Sequence, residues 1–556
     1  MDKVYTILGG VAAVIALAVI IIRMKKAERE RIRYYIKSLF GVLPERHYTA
    51  EEFDNISHLF RHGEGRRFCA DDITWNDLDM DTVFRRINAT NSSVGEEYLY
   101  RLLREPELNS AAVNEFDTLT KWFDSHADER LGIQEILYEL GRLKFVSLSD
   151  YLESFMKLEK KNTALLWLNT VRIIAAAALM FYDVAIGMMV MIGVFIYNVS
   201  RYYKELSQIR AYFMCCGYIS RIITAAQKLG DRGDDTIADY EQRLKEKSGP
   251  LKPIVRKTRA IGSNAVGGGL FETLIQYRNM LFHTDIMSFY GVLDMVRENI
   301  ASIGDITENI GRLDAAISCA SYRRTLSYWC VPEFTDEKCI DAKELYHPLI
   351  EEPVTNDVGF DGCVLLTGSN ASGKSTFLKT VAINAILSQS IATSVSRSCR
   401  TGMFRIYSSM ALHDDLSSGE SYYMVEIRSM KRIMDSAKED GVPVLCFVDE
   451  VLRGTNTVER IAASTKILEK LALTGAFVFA ATHDIELTYL LPDYDNYHFT
   501  EDVTDDDISF SYKLNRGRAQ SRNAIRLLGI MGYDESVIKS AEEMAARFTQ
   551  TGEWKS

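Results

Sequence analysis

Apolar positions crowd the chain in two places and follow helix or strand periods elsewhere. Val4 to Ile22 is a run of 19 residues without a charge. As a helix rising about 1.5 Å per residue it reaches roughly 28 Å, close to the hydrocarbon thickness of a bilayer. Only Asp2 and Lys3 flank it before, and "RMKKAERERIR" follows. A cleaved signal peptide wants a positive leading region and a small-x-small cleavage site behind the apolar run. The basic flank behind this one instead marks a stop-transfer segment. Residues 1–23 are therefore expected to be a retained transmembrane anchor, N-terminus outside and the following chain in the cytoplasm.

The second crowded stretch, Ala164 to Tyr203, is long enough for two short spans and contains Arg172 and Asp183. Lys157, Lys160 and Lys161 precede it, and Arg201, Lys204 and Arg210 follow. Both ends read as cytoplasmic, so the number of crossings is even. The expectation is an apolar hairpin over 161–203, two transmembrane helices turning near Asp183. A buried helix pair that never enters lipid is the alternative, kept open by Arg172 because a charge in mid-membrane is expensive. The chain is then a multi-pass protein of the cell (inner) membrane.

Residues 24–160 and 204–345 carry charged-apolar helical patterns. Beyond 346 the pattern changes. Short apolar runs, "CVLLTG", "VLCFVDE" and "AFVFA", alternate with helical stretches, as in an α/β domain. Acidic "EDVTDDD" at 501–507 reads as an exposed loop between two strands, "NYHFT" and "ISFSYKL".

Composition changes this picture little. A chain of 556 residues holds roughly two to four domains. The net charge of −11 argues against coating nucleic acid by bulk electrostatics. Between 201 and 260, however, 13 Lys/Arg stand against 7 Asp/Glu, including "LKPIVRKTR". That excess fits a solvated helix face near an anionic membrane surface, or, as the sharper reading, a patch for DNA phosphates. The nine cysteines are scattered without a C-x-x-C pair or Cys/His ligand spacing, which suggests reduced structural thiols.

The candidate chemistry lies in "LLTGSNASGKSTFLKT". Gly368 to Ser375 spell G-x-x-x-x-G-K-S, leaving a buried strand and opening a helix, the context a phosphate-binding loop needs. The cradle comprises Gly368, Ser369, Asn370, Ala371, Ser372, Gly373, Lys374, Ser375 and Thr376. Its backbone N–H groups and the helix N-terminus face the phosphates of ATP. Lys374 reaches the β- and γ-phosphates, and the Ser375 hydroxyl binds Mg²⁺. About 75 residues on, "VLCFVDE" ends in Asp449, a second Mg²⁺ group, and Glu450, placed to orient or deprotonate the attacking water. "AFVFA" runs into His483, a candidate γ-phosphate sensor. A single crossing at 161–203 would leave this site outside the cell, where ATP is scarce; that is a second reason to expect a hairpin.

Several stretches together resemble the MutS family of ATPases, a branch of the ABC-type nucleotide fold. "TGSNASGKST" is similar to TGPNxxGKST, with Ser369 where proline is usual. "DDLSSGESYYMVEIRSM" is similar to DDLxxGxSTFxxEM, "DEVLRGTNTVER" to DExGRGTSTxDG, and "ATHDIELT" to ATHxxEL. "YKLNRGRAQSRNAIRLLGIMGYDESVIKSAEEM" resembles the closing segment. "LYHPLIEEPVTND" resembles the lead-in, and Leu78 to Asn109 the start of the helical core. The fold class implied is an α/β C-terminal P-loop (ABC-type) ATPase domain, 346–556. A mainly α-helical lever domain like the MutS core, 24–160 and 204–345, precedes it, with transmembrane helices added. The resemblance implies catalytic roles for Glu450, His483 and Lys374. It also implies a homodimer through the ATPase domains, in which Ser418, Gly419 and Ser421 of one subunit face the γ-phosphate held by the other.

Parts of the family pattern are missing. No N-terminal F-x-E wedge is found, there is no room for a connector domain, and the apolar hairpin occupies the place of the DNA clamp. The resemblance thus points to a membrane-anchored MutS-related subgroup. Two functions are expected. One is a mismatch-repair-related ATPase with double-stranded DNA as partner. The other is a membrane-associated ATP switch acting on a protein partner or the bilayer. An ABC exporter subunit is weaker, since three apolar spans make a poor substrate path.

Overall fold

The computed structural model describes residues 2–61, 68–143, 147–159, 164–233, 237–260, 270–369, 372–410, 422–453, 455–503, 508–519, 525, 528 and 532–551. The chain divides into two compact units. One comprises 1–65, 87–101 and 118–325, the other 66–86, 102–117 and 326–556.

The first unit is helical. The helix Asp2–Leu39 contains the N-terminal apolar run. Helices Ala164–Met180 and Val184–Gly230 are joined by a turn at Phe181–Asp183. The Asp183 carboxylate accepts from the N–H groups of Ala185 and Ile186 at 2.9 and 3.0 Å, which satisfies two donors at the new helix start. Val184–Gly230 is, among the described residues, the helix long and apolar enough to cross a membrane; Leu166–Met180 is a shorter apolar helix. The long helix has two characters. Near the turn Val184, Met189, Ile192 and Ile196 are exposed, whereas Ile209, Phe213, Ile219 and Ile222 are buried. It runs on unbroken well past residue 203, the end expected for the apolar region, because its apolar face continues into the core.

Polar side chains gather inside the hairpin's lower part. His283, fully buried, places Nδ1 3.0 Å from the Asn169 amide and Nε2 3.0 Å from the Asn198 carbonyl. A carbonyl only accepts, so Nε2 carries the proton. Tyr202 donates to Asp285 at 2.7 Å, and Arg172 donates to Asn169 at 2.9 Å. Elsewhere in this unit buried Asp314 accepts from Asn91 and Ser92 just before the helix Ser93–Arg104. A Cβ at Gly95 would lie 2.2 Å from that carboxylate, so only glycine fits there.

The second unit carries two sheets built from β1 (Glu333–Phe334), β2 (Ile340–Leu345), β3 (Asn356–Phe360), β4 (Val364–Thr367), β5 (Ser398–Thr401), β6 (Arg405–Ser409), β7 (Val444–Asp449), β8 (Phe477–Thr482), β9 (Asp495–Val503) and β10 (Ile508–Arg516). The strand orders are β1-β5-β2-β3 and β10-β9-β4-β8-β7-β6. In the larger sheet β9, β4, β8, β7 and β6 are parallel. β4 and β8 are buried along their whole length and β7 all but its last residue, which is why they read as continuous apolar runs and not as alternating ones. Phe404, Phe447, Phe477 and Phe479 fill the core. β9 and β10 form an antiparallel pair from Ile508↔Val503 to Arg516↔Tyr497. Residues 501–503, expected in a loop, are therefore strand; residues 504–507 lie outside the described residues.

Two stretches from the region 24–160 fold with this unit. Asp77, almost fully buried, accepts from Ser408 Oγ at 2.6 Å and from the Met410 N–H at 2.8 Å. The Gln389 side chain donates to the Glu107 carbonyl at 3.0 Å. The nine cysteines are free thiols, and burial pushes those of Cys215, Cys216, Cys319 and Cys446 well above the usual range.

Candidate nucleotide-binding site

β4 stops at Thr367, and the backbone turns through Gly368 (φ 143°) and Gly373 (φ 99°) before the helix Lys374–Ile391. Both angles lie where glycine is favoured. A Cβ at Gly373 would lie 3.0 Å from the Tyr512 ring, and one at Gly368 2.8 Å from Ser372 Oγ. The Lys374 side chain folds back into the loop and donates from Nζ to the carbonyls of Gly368 and Ser369 at 2.8 and 2.7 Å. Ser372 Oγ donates to the Ser369 carbonyl at 2.8 Å. Ser369 Oγ is buried with no hydrogen-bond partner among the described residues. Thr376 is exposed. Asn370 and Ala371 lie outside the described residues.

Sheet register gathers the remaining groups. β7 lies beside β8 with Asp449 opposite Ala481, so residues 449–450 and 482–483 emerge together at the carboxyl end. Ser375 Oγ donates to Asp449 Oδ2, joining the loop to β7. Burial, with the neighbouring Glu450 charge, holds the Asp449 carboxyl above its usual range, although the Ser375 hydrogen bond opposes the shift. Glu450 behaves oppositely. Burial pushes it up, but the His483 hydrogen bond and the charges of His483 and Arg453 outweigh that, so it lies below the usual range. Its two oxygens are both engaged: Oε1 lies 2.6 Å from His483 Nε2, and Oε2 meets Arg453 Nε.

Behind this group Arg460 holds Asp484 through two hydrogen bonds, 2.8 and 2.6 Å, and Thr482 Oγ1 accepts from the Asp484 N–H at 3.0 Å. A cavity of about 120 Å³ is lined by Glu450, Val451, Arg453, Arg460, Thr482, His483 and Asp484. Arg453, Arg460 and Asp484 were not singled out by the sequence. Arg453 three residues after Glu450 and Asp484 directly after His483 were the available signals. Ser418, Gly419 and Ser421 lie outside the described residues. The helix after them starts at Tyr422, and its buried Glu426 accepts from the Arg453 N–H at 3.1 Å.

Comparison with known proteins fits this geometry. Residues 364–549 match MutS domain V. The chain is similar to MutS protein homolog 4 of Homo sapiens, 28% identical over 290 residues, 49% of this chain and 30% of the relative. It is also similar to DNA mismatch repair protein MutS of Acetivibrio thermocellus, 28% over 288 residues, 49% and 33%. The same-named protein of Leptospira interrogans is 26% identical over 371 residues, 58% and 43%. The chain thus matches 30% to 43% of these relatives' length. The second unit thus carries a domain that matches MutS domain V, and the chain is similar to MutS proteins over this part.

Proposed function

We propose that the second unit is a Mg²⁺-dependent ATPase. The observation that carries this reading is the joining of the glycine loop to β7 through Ser375 and Asp449, with Glu450 and His483 paired alongside. The donor set suits a nucleotide. Ser369 Oγ is a buried hydroxyl without a partner among the described residues, the Lys374 ammonium already lies inside the loop, and glycines at 368 and 373 let the backbone turn where a Cβ would meet Ser372 and Tyr512. Mg-ATP, when bound, supplies a phosphoanhydride to be broken and a divalent cation to screen its charge. Lys374 then exchanges its two carbonyl partners for phosphate oxygens. Ser375 and Asp449 are the metal-holding pair. Glu450, kept ionised by the His483 hydrogen bond and the Arg453 charge, accepts the proton of the attacking water or fixes its orientation, and His483 holds Glu450 in place.

On this reading the chain acts as a homodimer through its ATPase domains, with Ser418, Gly419 and Ser421 completing the partner's site. The relatives' names support a mismatch-repair-related function and double-stranded DNA as partner. The anchor at 1–23, the helical parts 24–160 and 204–345 and the hairpin at 161–203 would hold the ATPase domain, 346–556, at the cytoplasmic face of the cell membrane. A second reading, a membrane-bound ATP switch that reads no DNA, is favoured by the exposed apolar hairpin and the net charge of −11. Hydrolysis measured with and without homoduplex, mismatched and branched DNA decides between them. Stimulation, with binding that falls steeply as salt rises, supports the DNA reading. Unchanged hydrolysis and no binding at low salt support the switch.

A further inference from the structure

We propose that Arg453 is a positioning residue that keeps Glu450 closed in the nucleotide-free chain and must leave it before Glu450 can engage water. The inference rests on the ATPase reading above. Both Glu450 oxygens already hold a partner, His483 on one and Arg453 on the other, and the Arg453 guanidinium draws on the charge with which a base would take a proton from water. Its side chain is 15% exposed, so water does not compete freely for either oxygen.

The two partners are not equally fixed. His483 follows β8, whose register with β7 is set by the sheet, and the next residue is clamped by Arg460 and Thr482. Arg453 sits on the turn after β7, and its side chain is 51% exposed. Glu450 and Leu452 in that turn both hold left-handed backbone angles, φ 56° and 59°. Leu452 stands where the family pattern DExGRGTS has glycine. A non-glycine residue held there is strained, so this turn is the part that reorganises most readily. A half-exposed ion pair is also weak enough to open reversibly.

The turn has a handle. The Arg453 N–H is bonded to Glu426 in the first turns of the helix Tyr422–Ser436, which follows residues 411–421. A shift of that helix therefore pulls on Arg453. The adjoining cavity of about 120 Å³ has room for about four waters, so a hydrolytic water has a place once the guanidinium withdraws.

The test compares full-length wild type with Arg453→Gln and Arg453→Lys. Hydrogen–deuterium exchange of residues 449–460 in nucleotide-free protein should rise in Arg453→Gln and rise less in Arg453→Lys. Mg-ATP affinity should stay within twofold. The turnover number without DNA should rise at least threefold in Arg453→Gln. A tenfold or greater fall in turnover with affinity unchanged would make Arg453 a catalytic group and overturn the gate. So would unaltered exchange and an unaltered turnover number. If Arg453→Gln does not fold, Arg453→Lys carries the same comparison. Wild-type protein that binds Mg-ATP but never hydrolyses it removes the ATPase reading instead, while the exchange measurement still reports on the clamp.

Discussion

The carboxyl ends of β4, β7 and β8 and the hairpin around Phe181–Asp183 are organised in opposite ways. In the first, a buried apolar sheet presents polar groups at its rim, and those groups tune one another: Asp449 is pushed above and Glu450 below the ordinary carboxylate range. In the second, polar groups such as Asn169, Asn198 and His283 are buried, while Phe181, Tyr182 and Met189 face outward, 95%, 90% and 75% exposed. An exposed apolar surface of this kind is what a membrane or a protein partner would cover. The comparison teaches that the rim gathers groups suited to chemistry, whereas the hairpin presents a surface suited to placement. The two roles can be broken separately.

The largest effect is expected at the rim. Glu450→Gln should lower turnover by about 10²–10⁴-fold while nucleotide stays bound, as single-turnover kinetics would record. At the hairpin, Met189→Arg should oppose insertion by about 3 kcal/mol. The readout is a Tyr182→Cys reporter: a membrane-impermeant maleimide should label it from outside intact cells, and Met189→Arg should abolish that labelling. A reporter labelled only from the cytoplasmic side means the hairpin does not cross. His283→Ala should cost about 2–3 kcal/mol of stability by stranding Asn169 and the Asn198 carbonyl, seen as a lower unfolding midpoint in detergent.

The smallest effect is on pH dependence. With Mg²⁺ held as proposed, protons would compete with it for Asp449, whose raised pKa starts that competition at a higher pH than for an ordinary carboxylate. Glu450, lowered, is still ionised there. Apparent Mg²⁺ affinity should therefore fall on acidification before the base is protonated, and excess Mg²⁺ should restore turnover in that window.

How much of this was legible depended on how local the cause was. The glycine loop, its following helix and the β7 carboxylates sit within a few residues of their own strand ends, so local spacing displays them. The Arg460–Asp484 clamp links residues 24 positions apart through the β7–β8 register, which no local pattern displays. The Glu450–Arg453 pair depends on left-handed backbone angles that "DEVLRG" does not advertise. Residues 66–86 and 102–117 look like any amphipathic helical stretch; their membership of the second unit comes from buried polar contacts such as Asp77 to Ser408. The turn at Asp183 was legible because a capping residue interrupts an apolar run. The continuation of its helix to Gly230 was not, because the apolar pattern does not change where the environment does.

The central claim is that the loop at Gly368–Ser375 grips a triphosphate through Lys374. Equilibrium binding of ATP, with and without Mg²⁺, to purified wild-type and Lys374→Ala protein tests it most directly. The account predicts Mg²⁺-enhanced binding by wild type and a loss of at least about 100-fold in the variant, the scale of a buried charge-assisted contact. Equal binding by the two proteins, or none by wild type, would contradict it.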